Sequence, residues 1–380
     1  MLDRDEPFSI FAKPGRSWPG WLRFSLRTLL ILVLLAGSAG GLWWQWAPWD
    51  LERSFCSHED IAYGVRFSPD GERIVTGGED GKVRVWLVKS GANELTIDCN
   101  AGSVFAAEFS PDGKQILTGH RDGTVRLWEL SKEVSTLRAH TSWVRAASFS
   151  RSGREILTAG NDKTVKVWDR EGGTARLTIK GFDGGPVCAR FSPDDKYIAA
   201  GDLYGQGKLW WASDGKTCGE LRGHTKRVTS IEFSPDSNQV VSSSYDATAR
   251  IWNRQTASQE HLLLHPDSVF SACFSTDGTQ VFTACRDGIV RIWNAMTGKE
   301  MGKLLHREGS AVCVSMSADG RRLAVTQGTG VLNIWHRRRP EYWWGIAWLP
   351  EFWLTAFFAV ALIWSVWRDR YKLNRNLSFR

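Results

Sequence analysis

A chain of 380 residues with 42% apolar content can bury a large core, and its net charge of +7 is gathered at the ends, with five basic against three acidic residues in 1–27 and five against one in 368–380. The intervening segment 51–336 holds about 35 basic and 34 acidic residues, which argues against an extended surface for neutralising nucleic-acid phosphates. Seven cysteines without a C-x-x-C pair argue against a zinc site and a complete disulfide framework, and all seven are expected to act as small buried hydrophobes.

Residues 1–27 contain Pro7, Pro14 and Pro19 among scattered charges and read as a solvated arm. Thr28 to Trp49 carries no charge, and at 1.5 Å per residue a helix of that length crosses a hydrocarbon core of about 30 Å. Residues 28–49 are therefore expected to be a transmembrane helix. A cleaved secretory signal is the alternative, because a basic start and an apolar run lead into Gly37, Ser38 and Ala39. The long arm and a second apolar segment favour a permanent anchor. LRFSLRTLLILVLLA resembles N-terminal anchors common in planctomycete proteins, which are bacterial.

From Asp50 to His336 one pattern recurs, represented by Leu137 to Asp169: a His, a Phe nine residues on, a Ser/Thr, an Asp four later and a Trp six beyond that. The Trp positions are 86, 128, 168, 210, 252, 293 and 335, at intervals of 40 to 42 residues. The Phe register agrees through Phe67, Phe109, Phe149, Phe191, Phe233 and Phe274, with Met316 in the seventh unit. Runs such as VKVW and ILTA alternate with period two between Gly/Asp/Asn turns, as short antiparallel strands do. The SPDG turns at Ser68–Gly71 and Ser110–Gly113 join the first two strands of a unit, Pro setting φ and Gly accepting the left-handed position. Four short strands per forty-residue period predict the blades of a propeller.

The His, Ser/Thr, Asp and Trp spacing resembles the WD-repeat (WD40) family, whose units are four-stranded blades of a circular propeller. The expected fold class is thus all-β: a seven-bladed WD40 propeller over 50–336, flanked by two transmembrane helices. In that family the four residues form a buried hydrogen-bond chain. The resemblance implies such chains at His58, Thr76, Asp80 and Trp86; at His140, Thr158, Asp162 and Trp168; at His224, Ser242, Asp246 and Trp252; and at His265, Thr283, Asp287 and Trp293. The second blade has Asn100 for the His. The fourth has Phe182, Ala200 and Tyr204, and the seventh Arg307, Val325 and Thr329, so these two are expected to be held by packing. Cys188 and Cys313, in blades three apart, are too distant to bridge.

The last blade ends at Trp335 without a fourth strand, and residues 50–56 align with the segments before His140 and His224, so they are expected to close it. Beyond it, Phe352 to Trp367 is uncharged, and 343–367 is expected to be a second transmembrane helix, followed by a basic tail at 368–380. Twelve of the 21 Trp lie in or beside the two spans, as interfacial aromatic belts require. Five Lys/Arg flank each span on its outer side, against Arg53 and the run Arg337 to Arg339 within. This predicts an integral inner-membrane protein with cytoplasmic tails and an extracytoplasmic propeller. In the family the rim bearing these ends lies opposite the His/Asp loops, which should therefore point away from the bilayer.

No HExxH, GxSxG, GxxxxGK[ST] or strand-to-helix GxGxxG occurs, so neither enzyme chemistry nor a cofactor or metal is expected. The expected partner is a protein or peptide, besides the lipid bilayer and with no nucleic acid. Two loop positions per blade should project from the His/Asp face, and they bring forward Trp143, Arg227, Arg121, Tyr245 and Arg286, residue types enriched at binding hot spots. The alternative is a propeller hydrolase or small-ligand sensor using the central channel, lined by Arg66, Glu108, Ser148, Arg190, Glu232, Cys273 and Ser315. Their alternating charge points to inter-blade pairs.

Overall fold

The computed structural model describes residues 49–129, 131–305 and 309–338. Their regular structure consists of 28 β-strands in seven four-stranded antiparallel sheets. The first, β1 (Trp49–Cys56), belongs to the last sheet. Blade 1 follows as β2 (Ala62–Phe67), β3 (Arg73–Gly78), β4 (Lys82–Leu87) and β5 (Asn93–Asp98), and the pattern repeats through blade 7. Each blade's innermost strand packs on that of the next, and Ala311–Met316 in blade 7 packs back on β2, so the ring is closed.

Alternation within a strand sets what each side chain buries. In β4, Val83 and Val85 are buried while Lys82 and Arg84 keep partial exposure, and β5 is mostly exposed at the outer edge. The recurring Phe and Trp join one blade to the one before. Phe109 and Trp128 of blade 2 pack with Val75, Val83 and Val85 of blade 1, and Phe67 and Trp86 of blade 1 pack with Leu332 and Ile334 of blade 7. Burying an aromatic of this size stabilises by roughly 1.5–3 kcal/mol, so a forty-residue Trp period is what a ring of interlocked blades requires.

Closure is made by β1. It pairs antiparallel with Val331–Arg337 from Trp49↔Arg337 to Cys56↔Val331, with a register shift between Leu51 and Arg53. Phe55 lies on Trp86 with ring centroids 4.9 Å apart, and the Trp49 ring meets Phe282 edge-on at 5.6 Å. Because β1 runs toward His58, Trp49 and Arg337 mark the rim opposite the His/Asp loops.

Two expectations need correcting. Trp49, the expected end of the first transmembrane helix, instead opens β1: its backbone continues the ladder and its ring is packed against Phe282. The rest of that span and the second span at 343–367 lie outside the described residues, among which no helix is long and apolar enough to cross a membrane. The cysteines are free, but only Cys99, Cys188, Cys273 and Cys285 are buried; Cys56 is exposed at the end of the outer strand, and Cys218 and Cys313 are intermediate.

The innermost strand of each blade carries a β-bulge at its second residue. The pairing register skips Tyr63, Phe105, Arg145, Val187, Thr229, Phe270 and Val312 in turn. A bulge re-aims its side chain, and here all seven line the channel.

Candidate interaction face at the channel mouth

The hydrogen-bond chains fix the loops that surround this mouth. In blade 3, Trp168 Nε1–H donates to Thr158 Oγ1 at 2.9 Å, and Thr158 Oγ1 lies 2.8 Å from His140 Nε2. Since a carboxylate can only accept, His140 Nδ1–H donates to Asp162, at 2.9 Å. The same geometry joins Trp86, Thr76, His58 and Asp80, with a His–Asp distance of 3.0 Å, and Trp252, Ser242, His224 and Asp246, at 2.8 Å. Burial pushes these three imidazoles below their ordinary pKa despite the neighbouring carboxylates, so they are neutral at pH 7. Burial pushes the Asp162 carboxyl up, and hydrogen bonds from Thr164 and His140 more than reverse it.

Blade 6 departs from the expected tetrad. Trp293, Thr283 and His265 are joined, but His265 Nδ1–H donates to Leu263 O at 3.0 Å, and Asp287 pairs with Arg291 at 2.6 Å. In blades 3 and 5 the residue after the His ties the loop to the Asp through its N–H, from Thr141 at 3.2 Å and Thr225 at 3.1 Å. In blade 6 that residue is Pro266, which has no N–H. The hydroxyls of Thr164 and Thr248, which also hold their Asp, are replaced by Ile289.

Blade 2 rebuilds the chain differently. His120, two residues after Thr118 in the same strand, places Nε2 at 2.7 Å from Thr118 Oγ1, which accepts from Trp128 Nε1–H at 2.9 Å. Blade 1 has Gly78 at the position of His120 and blade 3 has Gly160, where a Cβ would collide with the His58 or His140 ring. With Asn100 in place of a loop histidine, that room is free for His120. In blade 4, Phe182 takes the place of the His against Trp210, with ring centroids 5.4 Å apart. Asp202, at the same strand position as His120, caps the turn by accepting from the Gly184, Tyr204 and Gln206 N–H groups at 3.2, 2.8 and 2.8 Å. Arg307 in blade 7 lies outside the described residues; Val325 is fully buried, and among the described residues Thr329 Oγ1 reaches only Gln327 Oε1, at 3.5 Å.

The channel narrows at a charged waist. Arg190 bonds Glu108 at 2.7 Å, and Arg66 faces Glu232 at 3.9 Å. These pairs join blades 4 to 2 and 1 to 5, across the channel and not between neighbours. Burial raises the Glu232 pKa although Arg66 and Arg190 pull it down. Below the waist a funnel of about 910 Å³ opens on the side of the Ser-Pro turns, with Ser148, Cys273 and Ser315 in its wall. Among the described residues no group of three His, Cys, Asp or Glu side chains could hold a metal ion.

Above the waist, on the His/Asp side, lies a cavity of about 130 Å³ ringed by the seven bulged residues. Trp143 stacks on Phe105 at 5.7 Å and 20°. Arg121 lies over the Trp143 ring at 4.7 Å, and Arg145 lies over both Trp143 and Phe105, at 4.5 and 4.6 Å. On the far side, Arg227 covers Tyr245 at 5.3 Å and Tyr245 meets Phe270 edge-on at 5.6 Å. Four of the five sequence-selected residues, Trp143, Arg121, Arg227 and Tyr245, therefore surround one mouth. Arg286 is exposed on the same face, and its N–H donates to Ser268 O at 2.9 Å. Trp143 is half-buried in it and is not a bare loop tip. Sequence reasoning missed Arg145, which lies over both rings of the Trp143–Phe105 stack.

The WD domain, G-beta repeat, matches residues 49–86, 92–129, 131–169, 173–210, 215–253 and 258–294, more than half of the chain. The chain belongs to the WD40 family. Each matched unit begins near a blade's outer strand and ends at or just after its Trp, and the sheet formed by β1 and the last three strands is a seventh blade beyond the six matches. Similar proteins include periodic tryptophan protein 2 of Saccharomyces cerevisiae, 32% identical over 218 residues, covering 57% of this chain and 19% of that protein. Apoptotic protease-activating factor 1 of Mus musculus is 33% identical over 82 residues, or 22% and 7% of the two chains. A guanine nucleotide-binding protein subunit beta of Arabidopsis thaliana is 36% identical over 55 residues, or 14% and 15%. The chain spans less than a fifth of each of these relatives. A WD40 propeller of this kind suits protein interaction.

Proposed function

We propose that this WD40 chain is a membrane-tethered interaction scaffold that offers the His/Asp face of its propeller to a protein or peptide. The observation that carries the binding face is the cation–aromatic cluster around the channel mouth. Trp, Tyr and Arg converge there on a concave centre, the composition and shape in which binding energy concentrates. Tethering is supported by the uncharged stretches at 28–48 and 352–367, and the flanking Lys/Arg favour cytoplasmic tails with the propeller on the other side. The position of Trp49 and Arg337 at the opposite rim agrees with a face that points away from the bilayer. The hydrolase or sensor reading has less support, because the acids of the waist are already engaged by Arg66 and Arg190.

Replacing Trp143 and Tyr245 with Ala should reduce capture of cross-linked partners from membranes, while Lys114→Ala in an opposite-face turn should not. Loss only with the Lys114 variant would contradict the reading. Protease added to intact spheroplasts should digest the propeller and spare an epitope at Arg380; a protected propeller would overturn the topology.

A further inference from the structure

The mouth cluster has an unbalanced charge. Elsewhere in the channel the guanidiniums face carboxylates, as Arg66 faces Glu232 and Arg190 faces Glu108. Arg121, Arg145 and Arg227 form no ion pair among the described residues, although the three are close enough for Arg227 and Arg121 to act on Arg145. Burial first, and then those two like charges, bring the Arg145 pKa down to about 10. Burial, and after it the neighbouring Glu79 carboxylate, push the Tyr63 hydroxyl above its ordinary pKa.

Arg145 is also held in a fixed plane. Its guanidinium lies over the rings of both Phe105 and Trp143, and its Nε–H donates to Asn161 Oδ1 at 3.2 Å. That leaves the two terminal nitrogens, the fork that matches a carboxylate or phosphate, without a protein acceptor among the described residues. Arg227 Nε is likewise buried with no partner among them. Beside these donors the collar presents Val187, Phe270 and Val312, apolar residues that cannot solvate an anion but can seat its neighbours.

Accepting the His/Asp face as the docking face, we propose that the collar binds an oxyanion-bearing side chain of a partner peptide, a carboxylate or a phosphate, with Arg145 as the fixed fork and Arg227 as the second cation. The adjoining peptide residues are apolar and lie against Phe270, Val312 and Val187. The anion offsets the mutual repulsion of the guanidiniums.

The test uses the full chain in detergent micelles with fluorescein-labelled hexapeptides of one apolar sequence, carrying Glu, phosphoserine, Gln or Lys at the centre, read by anisotropy at low and high salt. The Glu or phosphoserine peptide should bind at least tenfold more tightly than the Gln peptide, the Lys peptide more weakly still, and the preference should shrink with salt. Comparison of the Glu and phosphoserine peptides identifies which oxyanion the collar takes. Arg145→Gln and Arg227→Gln should each remove most of the preference. Arg145→Lys, which keeps the charge but not the fork, should recover only part of it, and Arg154→Gln on the opposite face should match the unaltered chain. Melting curves of the same samples separate lost binding from lost folding. Equal binding of the Glu, phosphoserine and Gln peptides, or a preference that survives in folded Arg145→Gln and Arg227→Gln proteins, overturns the proposal. If Trp143→Ala still abolishes partner capture while acidic peptides neither bind nor compete, the docking face stands and the anion site falls.

Discussion

Asp162→Ala tests the role of the blade tetrads most sharply. Asp162 accepts from His140 Nδ1–H at 2.9 Å, the Thr141 and Thr164 N–H groups at 3.2 Å each, and the Thr164 hydroxyl at 2.7 Å. Its removal takes the carboxylate from a fully buried imidazole N–H and leaves it only the Thr164 hydroxyl, 3.1 Å away, which costs about 1–3 kcal/mol. With the freed loop contacts included, the cost lies toward the upper end of that range, roughly 2–3 kcal/mol. At about 2–4 °C per kcal/mol for a large domain, the melting temperature should fall by roughly 4–12 °C. Asp162→Asn, which keeps one acceptor oxygen, should fall by less. Thr329→Ala occupies the corresponding place in blade 7, where among the described residues the hydroxyl reaches only Gln327, and should change the midpoint by no more than about 1 °C. Tryptophan fluorescence during thermal unfolding of the full chain gives the comparison. Equal shifts for Asp162→Ala and Thr329→Ala would refute the assignment of intact and broken tetrads.

Acid should destabilise the propeller through its buried histidines. Burial brings His120 and His265 down to about 4, so their contribution is complete above the unfolded value near 6.5 and is lost as pH falls toward 4, on the order of 3 kcal/mol for each. A melting temperature that stays flat from pH 6.5 to 4.5 would contradict this, and His120→Gln should flatten part of the slope. Deleting residues 49–56 removes the whole pairing partner of Val331–Arg337 and exposes a strand edge. The truncated chain should aggregate or melt at least several degrees lower, and a monomer with an unchanged midpoint would show that another segment closes the ring.

The blades were legible because two periodic constraints, the Trp and the Phe, come from one physical cause, the packing of each blade on its predecessor. Closure was legible because residues 50–56 match the other outer strands. The broken tetrad of blade 6 was written in Pro266 and Ile289, but spacing alone ignores which residues can donate. The substitutes His120 and Asp202 follow a rule within this chain. Blades with a loop histidine have Gly78, Gly160, Ser244 or Cys285 at that strand position, small enough for the ring, while blades without one can fill it with a larger polar residue.

Arg145 was hidden for a different reason. Period-two alternation places it on the side of Ala147 and Phe149, facing the neighbouring blade. The bulge between Val144 and Ala146 turns it to the channel mouth instead, and a one-residue register change is invisible to a hydropathy pattern. The same displacement gathers Tyr63, Phe105 and Phe270 into the collar, so the centre of the binding face comes from the feature that strand periodicity conceals.

The central claim is that partners dock on the cluster around Trp143. Its most direct test is to place the photo-cross-linker p-benzoylphenylalanine at position 143, 245 or 114 of the full chain and irradiate intact membranes. The cluster predicts adducts of the same size from positions 143 and 245 and none from 114 on the opposite face. Adducts from 114 alone would contradict it.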